Sequence, residues 1–441
     1  MTNIFCVMYY IFVWKYPEIL PGGCNNMKNF KSKKLLVMLL CFTMIGTTVL
    51  AGCGKIGEPE EPEPAPANSL TGATAEDGYD EAAGERRVAA FVVENAPDAR
   101  PQWGMDDPNY SPDIVLQGEV EGGITRTLWL YADYEKLPEI IGPTRSARPP
   151  FIRFSELFDS IFIHWGMSHS KGDYVGASTV FDEDNVDHIN QMELDDQEGM
   201  YGRDQTRGTS VEHRGIIYGD KVSATIKNEG FRTIPEEYTK LSFNKIEEPA
   251  SETPATQIGV IYSDRAFEGT YWTYDESDGL YHCSDFENDF TRENLLVLTD
   301  ETEYIVKEGY EGPGSTGSVT YCDYKLAGGK GKYFSKGTVK DIEWQVNDGQ
   351  LVLIDPSIDA ATAQAANDEN FEAAKEVVKA DENAEWPAYN KYVIVSPDEE
   401  AAKDMTEEEV LANSYVQLNL NKGKTWIGWI SGNNGGSVSS K

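Results

Sequence analysis

The chain has 441 residues, of which 38 are Lys or Arg and 74 are Asp or Glu, which gives a formal net charge of −36 at pH 7. Such acidity excludes a general nucleic-acid-binding protein, because phosphates are bound through a basic surface, and we expect no nucleic-acid partner. Hydrophobic residues make up 40% of the chain and aromatic residues 11%, so it can bury a core, and its length allows two or three domains.

Residues 27–52 have the features of a lipoprotein signal peptide. Four lysines at 28–34 precede an apolar run at 35–50, which is shorter than a membrane-spanning helix of about 20 residues. The run ends in L-A-G-C at 50–53, which resembles the lipobox of bacterial lipoproteins. The resemblance implies cleavage before Cys53 and a diacylglycerol or palmitate anchor there, and two acyl chains give stable membrane binding. An ordinary secretory signal or a membrane anchor is the alternative.

Residues 1–26 precede this signal, and we expect them to be a mis-annotated upstream extension, with translation starting at Met27. If Met1 is the start, an extra membrane segment must be considered. Residues 1–52 contain five lysines and one glutamate, so the chain from Cys53 onward has 33 basic and 73 acidic residues, a net charge of −40. The exported part is therefore more acidic than the precursor.

The mature chain divides into a tether, two domains and a tail. Alternating Pro and Glu predict that residues 53–86 form a disordered acidic tether. Residues 87–240 mix strands and helices and predict an α/β domain, whereas 250–431 predict a mainly β domain. Acidic, Ala-rich stretches predict a helical insertion at about 356–413, and 432–441 predict a flexible tail. The predicted fold class is α+β.

The predicted elements of the first domain, in chain order, are strands at 88–93, 113–116 and 127–131, a helix at 151–158, a strand at 160–165 and a helix at 219–230. Those of the second domain are strands at 258–262, 271–274, 294–298 and 302–306, helices at 358–385 and 398–413, and strands at 415–419 and 424–430. Asp278-Gly279 and Asp348-Gly349 predict hairpin turns with positive φ.

Distinctive motifs occur in order along both domains. The first contains R-P-Q-W-G at 100–104, E-V-E-G-G-I-T-R at 119–126 and I-G-P-T-R-S-A-R at 141–148. The second contains W-T-Y-D at 272–275, N-L-L-V at 294–297, I-E-W at 342–344 and N-K-G-K-T-W-I at 421–427. They resemble the YerB-type lipoprotein family, whose domain is known as domain of unknown function 3048. The resemblance implies a lipid-anchored protein on the extracytoplasmic face of the membrane of a Gram-positive-type bacterium, and it assigns no activity.

An arginine cluster stands out in this acidic chain. Arg126, Arg145 and Arg148, with Ser146 and Glu121, predict a site that captures a carboxylate or phosphate through forked guanidinium groups. Wall teichoic acid, lipid headgroups and peptidoglycan stem peptides carry such groups. The alternative is that the arginines form structural ion pairs with the neighbouring carboxylates Glu119, Glu121 and Asp133.

Four histidines lie between His164 and His213, near several acidic residues. Their spacing matches no helical metal motif and no cysteine accompanies them, so we predict no metal and no cofactor. His164 follows an apolar strand, and it is the candidate acid or base if the protein is a hydrolase or transferase acting on peptidoglycan or an attached polymer. A hydrogen-bonded residue at a strand end is the alternative.

Cys283 and Cys322 are the cysteines that follow Cys53. An exported protein can form a disulfide between them, and two buried thiols are the alternative.

These observations favour a non-enzymatic lipoprotein that binds a cell-wall polymer or an envelope protein through the arginine cluster. The envelope hydrolase or transferase remains the alternative function. Convergence of Arg145, Arg148 and His164 in one open pocket would favour the enzyme. Burial of the arginines against Glu119 and Glu121 would weaken both site hypotheses.

Overall fold

A computed structural model describes residues 67–310, 317–380, 390–397 and 399–441. The predicted signal peptide, Cys53 and the first part of the tether lie outside the described residues. The segment Ala65–Lys441 is one compact unit. None of the helices in the described ranges is both long enough and apolar enough to span a membrane.

The helices lie mostly at the places that the sequence predicts. They are α1 (Pro149–Glu156), α2 (Ala177–Asp184), α3 (Gly219–Glu229), α4 (Ala360–Ala380), α5 (Glu399–Ala402) and α6 (Glu407–Ala412). Helix α3 ends at Gly230, whose φ of +73° is a left-handed conformation that glycine adopts readily. Helix α6 starts with a capping box, in which the side chains of Thr406 and Glu409 each bind the other's backbone N–H.

Strands dominate the rest of the chain. Those of the first half are β1 (Ala89–Glu94), β2 (Ile114–Glu119), β3 (Thr125–Tyr131), β4 (Ile140–Ile141), β5 (Ile161–His164), β6 (His188–Asn190), β7 (Tyr201–Arg203), β8 (Gly215–Tyr218) and β9 (Ser242–Phe243). Those of the second half are β10 (Gln257–Ile261), β11 (Thr270–Asp275), β12 (Leu280–Cys283), β13 (Phe290–Arg292), β14 (Asn294–Asp300), β15 (Thr302–Tyr310), β16 (Gly317–Tyr324), β17 (Gly329–Ser335), β18 (Thr338–Asn347), β19 (Gln350–Ile354), β20 (Val393–Val395), β21 (Tyr415–Gln417), β22 (Asn419–Leu420), β23 (Thr425–Ser431) and β24 (Ser437–Ser440).

A central sheet contains strands from both halves, in the order β20-β21-β19-β18-β17-β14-β23-β2-β3-β1-β5-β6. Strand β23, close to the C-terminus, pairs in parallel with β2 of the first half and with β14 of the second. Both faces of the sheet are buried at its centre, in β1, β2, β3, β14 and β23, so Trp426 packs into one hydrophobic cluster and Trp429 into the other. Burial on both faces explains the continuous apolar runs of these central strands, whereas β18 and β19 nearer one edge alternate between buried and more exposed residues.

Smaller sheets surround the central one. A five-stranded sheet has the order β13-β12-β11-β10-β24, and a three-stranded sheet has the order β4-β8-β7. Strands β15 and β16 form a separate hairpin, and β9 pairs with β22. The described residues contain 19% helix and 36% strand, with the C-terminal part mainly β, which confirms the predicted α+β class.

Two segments that the sequence predicts to be disordered are folded. Leu70 and Ala83 lie in the predicted tether but are 0% and 1% exposed, so residues 67–86 belong to the folded unit. The sequence did not predict this because isolated apolar residues in a polar segment produce no helical or strand periodicity. The predicted flexible tail contains β24, which pairs with β10, and the backbone oxygen of Lys441 accepts a hydrogen bond from Thr256 N.

The acidic segment predicted as an insertion lies between two neighbouring strands of the central sheet. Strands β19 and β21 pair directly, and α4, β20, α5 and α6 lie between them in the chain. Helix α4 begins close to its predicted start, and residues 381–389, which include its predicted end, lie outside the described residues.

Cys283 and Cys322 are both buried free thiols. Cys322 packs into the hydrophobic cluster on one face of the central sheet and Cys283 into the cluster on the other face. The sheet therefore separates the two sulfur atoms beyond the reach of a disulfide. Burial raises the pKa of both thiols. The sequence leaves open a disulfide or two buried thiols, and the structure contains two buried thiols.

Candidate functional site

Three of the predicted site residues form an ion-pair group that is largely buried. Arg126 on β3 and Arg148 just before α1 both contact Glu121, in the turn between β2 and β3. Arg148 binds the carboxylate with two arms, at 2.7 Å from Nε to Oε2 and 2.5 Å from Nη2 to Oε1. Nη2 of Arg126 lies 3.2 Å from Oε1, and Arg126 is 1% exposed. The Nη1 atoms donate to the backbone oxygens of Ser146 and Ala147. Both guanidinium groups therefore make their hydrogen bonds and ion pairs with groups of the protein itself.

The pKa values show how strongly these charges are coupled. Burial acts to raise the pKa of Glu121, but Arg148 and Arg126 outweigh this effect and hold that pKa well below its ordinary value. Burial lowers the pKa of Arg126 to about 10, although Glu121 opposes the shift. All three groups are therefore charged at neutral pH, and the single carboxylate between two guanidinium groups leaves the ion-pair group with one net positive charge.

The other carboxylates named in the structural alternative bind elsewhere. Asp133 pairs with Arg86 at 3.1 Å, and Glu119 accepts hydrogen bonds from hydroxyl groups. Arg153 pairs with Asp323 at 2.8 Å. Of the three carboxylates that the sequence analysis named as structural partners, only Glu121 forms ion pairs with arginines of the predicted cluster, namely Arg126 and Arg148.

Arg145 lies apart from this group, on the segment between β4 and α1. Its N–H donates to the backbone of β1, and its C=O accepts from Trp165 N, which fixes the segment between β1 and the loop after β5. Nε of Arg145 lies 3.2 Å from Oε1 of Glu94, and Nη1 donates to the backbone oxygen of Glu212 at 3.2 Å. Nη2 of Arg145 has no acceptor within the described ranges, so one arm of the guanidinium is available.

Arg145 and Ser146 line an open pocket of about 340 Å³ beside the carboxyl ends of β5 and β6. The carboxyl ends of parallel strands commonly form ligand sites in α/β sheets. We name it the arginine pocket. Its lining residues are Thr144, Arg145, Ser146, Trp165, Gly166, Met167, His169, Asn190, Met192, Glu193, Arg203, Glu212 and Gly215.

Arg203, the last residue of β7, supplies the second guanidinium of this pocket. Its Cζ lies 4.2 Å from the ring centroid of Trp165, and its Nη1 donates to the backbone oxygen of Val211 at 2.6 Å. Trp165 is held in turn by an edge contact with Tyr201. Among the residues that the structure describes, no carboxylate lies within 4 Å of the Arg203 guanidinium. Its positive charge is therefore not neutralised by a direct ion pair.

The wall of the arginine pocket is fixed by side-chain hydrogen bonds. Oδ1 of Asn190, which is 3% exposed, accepts from Gly166 N at 2.9 Å and from Met192 N at 3.2 Å. The hydroxyl of Tyr201 donates to the backbone oxygen of His164 at 2.9 Å. These bonds join the ends of β5 and β6, so the wall is positioned by the fold itself.

His164 is enclosed and does not line the arginine pocket. Its Nδ1 lies 2.7 Å from the oxygen of Gly166, its Nε2 lies 3.0 Å from Nδ1 of His188, and its ring stacks on Phe181. Burial lowers the pKa of His164 to about 3, so the ring is neutral at physiological pH. His164 therefore has the arrangement that the sequence analysis offered as the alternative, a hydrogen-bonded residue at a strand end.

The remaining histidines of this region have separate partners. His169 contacts the hydroxyl of Ser178, and Nδ1 of His213 lies 2.9 Å from Oε2 of Glu94. Within the described ranges, the only three metal-ligating side chains whose ligand atoms lie within 4.8 Å of one another are Asp275, Asp278 and His282.

Comparisons with known proteins agree with this architecture. Residues 70–232 match the family described as protein of unknown function (DUF3048) N-terminal domain. The protein named "Putative lipoprotein YerB" of Bacillus subtilis (strain 168) is 29% identical over 273 residues, which cover 61% of this chain and 76% of that protein. The crystal structure of YerB from Bacillus subtilis superimposes with a TM-score of 0.56 at 21% identity, over 85% of this chain and 99% of that one. The chain is thus similar to this lipoprotein over most of its length and matches the DUF3048 family model over residues 70–232.

This YerB-like chain carries the whole arginine pocket inside the segment that matches the family, because every lining residue lies between 144 and 215. Sequence reasoning found Arg145 and Ser146 but missed Arg203, Trp165 and Asn190. A signal was present, since Arg203 belongs to a group of arginines close together in an acidic chain. The folding of β7 against the loop after β5 could not be inferred from it.

Proposed function

We propose that the protein is a lipoprotein attached to the extracytoplasmic face of the bacterial membrane through Cys53. Two observations support this location. The lipobox-like sequence at 50–53 follows a basic and then an apolar stretch, and a curated relative is named a lipoprotein. The acidic, proline-rich residues after Cys53 would serve as a tether between the membrane and the folded unit.

Replacement of Cys53 with serine tests the anchor. We expect Cys53→Ser to abolish incorporation of labelled palmitate and to move the protein out of the membrane fraction, because serine lacks the thiol that receives the diacylglycerol. The matched control is Cys283→Ser, which removes a buried thiol and should leave label and location unchanged. A Cys53→Ser protein that kept its label would contradict the anchor.

We propose further that the arginine pocket binds an anionic group of an envelope component, such as a phosphate of a wall polymer or a carboxylate of a stem peptide or partner protein. The observation that carries this proposal is the pair of guanidinium groups in one open pocket. Arg203 has no direct carboxylate partner among the described residues, and Arg145 has an available Nη2. In a mature chain with a net charge of −40, such a site is unusual, and guanidinium forks suit oxyanions.

The arginine site proposed here differs from the cluster predicted from the sequence. Arg126, Arg148 and Glu121 stabilise the wall behind the pocket, while Arg145 and Ser146 keep their predicted role and Arg203 joins them. The ring of Trp165 adds an apolar surface on which a sugar or peptide group could pack. No enzymatic activity is proposed, since the candidate acid or base, His164, is enclosed.

A binding titration of the folded unit from residue 65 onward tests the arginine pocket. With purified wall teichoic acid and with soluble stem peptides as separate probes, we expect Arg203→Gln and Arg145→Gln each to weaken binding by about tenfold or more, the value of one charge-assisted hydrogen bond. The matched control is Arg214→Gln, which removes the same charge from the connection that follows β7 but does not line the pocket. Equal losses from Arg203→Gln and Arg214→Gln would show a general charge effect and contradict the site, as would unchanged binding by every variant.

A further inference from the structure

A second cavity, of about 420 Å³, lies where the end of β2 meets the loop after β10 and the β15–β16 hairpin. We name it the Glu119 cavity. It shares no lining residue with the arginine pocket, and it is lined by Glu119, Gly122, Gly123, Arg265, Tyr304, Ser318, Val319 and Thr320. Residues from both halves of the chain therefore form its walls.

Only one of the two carboxylate oxygens of Glu119 accepts hydrogen bonds from the described residues. The residue is 1% exposed, and its Oε2 accepts hydrogen bonds from the hydroxyls of Ser263, at 2.5 Å, and Tyr304, at 2.8 Å. Oε1 accepts no hydrogen bond from any residue that the structure describes. Burial raises the pKa of Glu119, while the two hydroxyls and Arg265 oppose the shift. A nearly buried carboxylate oxygen without a donor is unfavourable, so a ligand that donates to it gains binding energy.

Arg265 brings the opposite charge to the same cavity. Its Cζ lies 4.4 Å from the ring centroid of Tyr304. Within the described ranges no carboxylate, Glu119 included, lies within 4 Å of its guanidinium. The cavity thus holds a negative and a positive group that are near each other but not directly paired.

The backbone around these two charges is fixed. Arg265 N donates to Oγ of Ser263 at 3.0 Å, and Phe267 N donates to the oxygen of Gly123 at 2.9 Å. Gly123 has a φ of +81°, and a Cβ placed there would lie 2.3 Å from the backbone oxygen of Arg265. Only glycine allows this close approach, which sets the Arg265 loop against the turn that follows Glu119.

We propose that the Glu119 cavity binds the zwitterionic group of an amino acid or a peptide end, with its ammonium on Oε1 of Glu119 and its carboxylate on the guanidinium of Arg265. An ammonium group has three donors and suits a buried carboxylate that has an unused oxygen. A guanidinium fork suits a carboxylate. The volume leaves room for further residues of a peptide beyond the head group. This site is independent of the proposed function of the arginine pocket.

Three small probes separate the two charges of the ligand. Alanine carries both charges, alaninamide carries only the ammonium, and N-acetylalanine carries only the carboxylate. By NMR titration of the folded unit, we expect alanine to bind about tenfold more tightly than either analogue. Glu119→Gln should remove the preference for alanine over N-acetylalanine, and Arg265→Gln the preference over alaninamide. The Arg203→Gln variant should bind alanine normally, so failure of either site is distinguishable from failure of the other.

The matched control is Glu268→Gln, which removes one negative charge from the Arg265 loop at an exposed residue that pairs with Arg100 and does not line the cavity. It should leave alanine binding unchanged. Arg265 is exposed, so its variant should fold even if Glu119→Gln does not, and thermal unfolding checks both. Alanine binding that is absent, that is equal for all three probes, or that survives in both cavity variants would overturn the proposal.

Discussion

Replacing Glu121 with glutamine is expected to lower the free energy of unfolding by about 3–5 kcal/mol, the usual cost of removing one partner from a buried ion pair. Arg126 is 1% exposed and the side chain of Arg148 11% exposed, so neither guanidinium can be fully hydrated once the carboxylate is lost. Glutamine retains the shape of the side chain and one acceptor oxygen. The decrease in the free energy of unfolding therefore measures the effect of removing the negative charge. Urea unfolding at neutral pH measures it.

Acidification provides a second test of the same group. The pKa of Glu121 is lowered in the folded protein, so its contribution is fully present above the unfolded value of about 4.3 and is lost as the pH falls below it. The stability difference between the native protein and Glu121→Gln should therefore shrink below that pH. The control Glu268→Gln changes a carboxylate whose side chain is 48% exposed, and it should cost less than about 1 kcal/mol. A Glu121→Gln protein as stable as this control would show that the ion-pair group does not stabilise the fold.

Local structure was predictable because its causes are local. The apolar run at 160–165 becomes β5, Gly230 ends α3, and Asp348 and Gly349 both adopt positive φ in a hairpin turn. Each of these outcomes depends on the preferences of a few adjacent residues. The predicted positions are correct to within a few residues for the same reason.

The pairing of distant segments was not predictable. Strand β23 reads as an ordinary apolar strand, and nothing in its sequence shows that it lies between β2 and β14. The arginine cluster illustrates the same limit. Arg126 pairs with Glu121, five residues away, whereas the partner of Arg145 is Glu94 on β1, which no sequence pattern indicates. Residues close in sequence were thus separated into a structural group and a pocket by the fold.

Replacing Trp429 with alanine is expected to destabilise the two halves of the chain together, by about 3–5 kcal/mol. Trp429 on β23 is 0% exposed. Its ring stacks on Tyr324 of the second half at 4.2 Å and contacts Phe154 of the first half at 5.4 Å, and its Nε1 donates to Asp300 at 3.2 Å. The alanine variant would leave a cavity between the halves and remove one of the two hydrogen bonds to Oδ2 of Asp300, which Leu326 N also binds.

Calorimetry of this variant and of Trp344→Ala distinguishes one cooperative unit from two. Trp344 is equally enclosed but lies in β18, within the second half. Because β23 is hydrogen-bonded to a strand from each half, neither half can lose it without exposing the edge and both apolar faces of the central sheet. We therefore expect a single transition that both variants shift to lower temperature. Two transitions, with Trp344→Ala shifting only one of them, would show that the halves unfold independently and that β23 belongs energetically to one half alone.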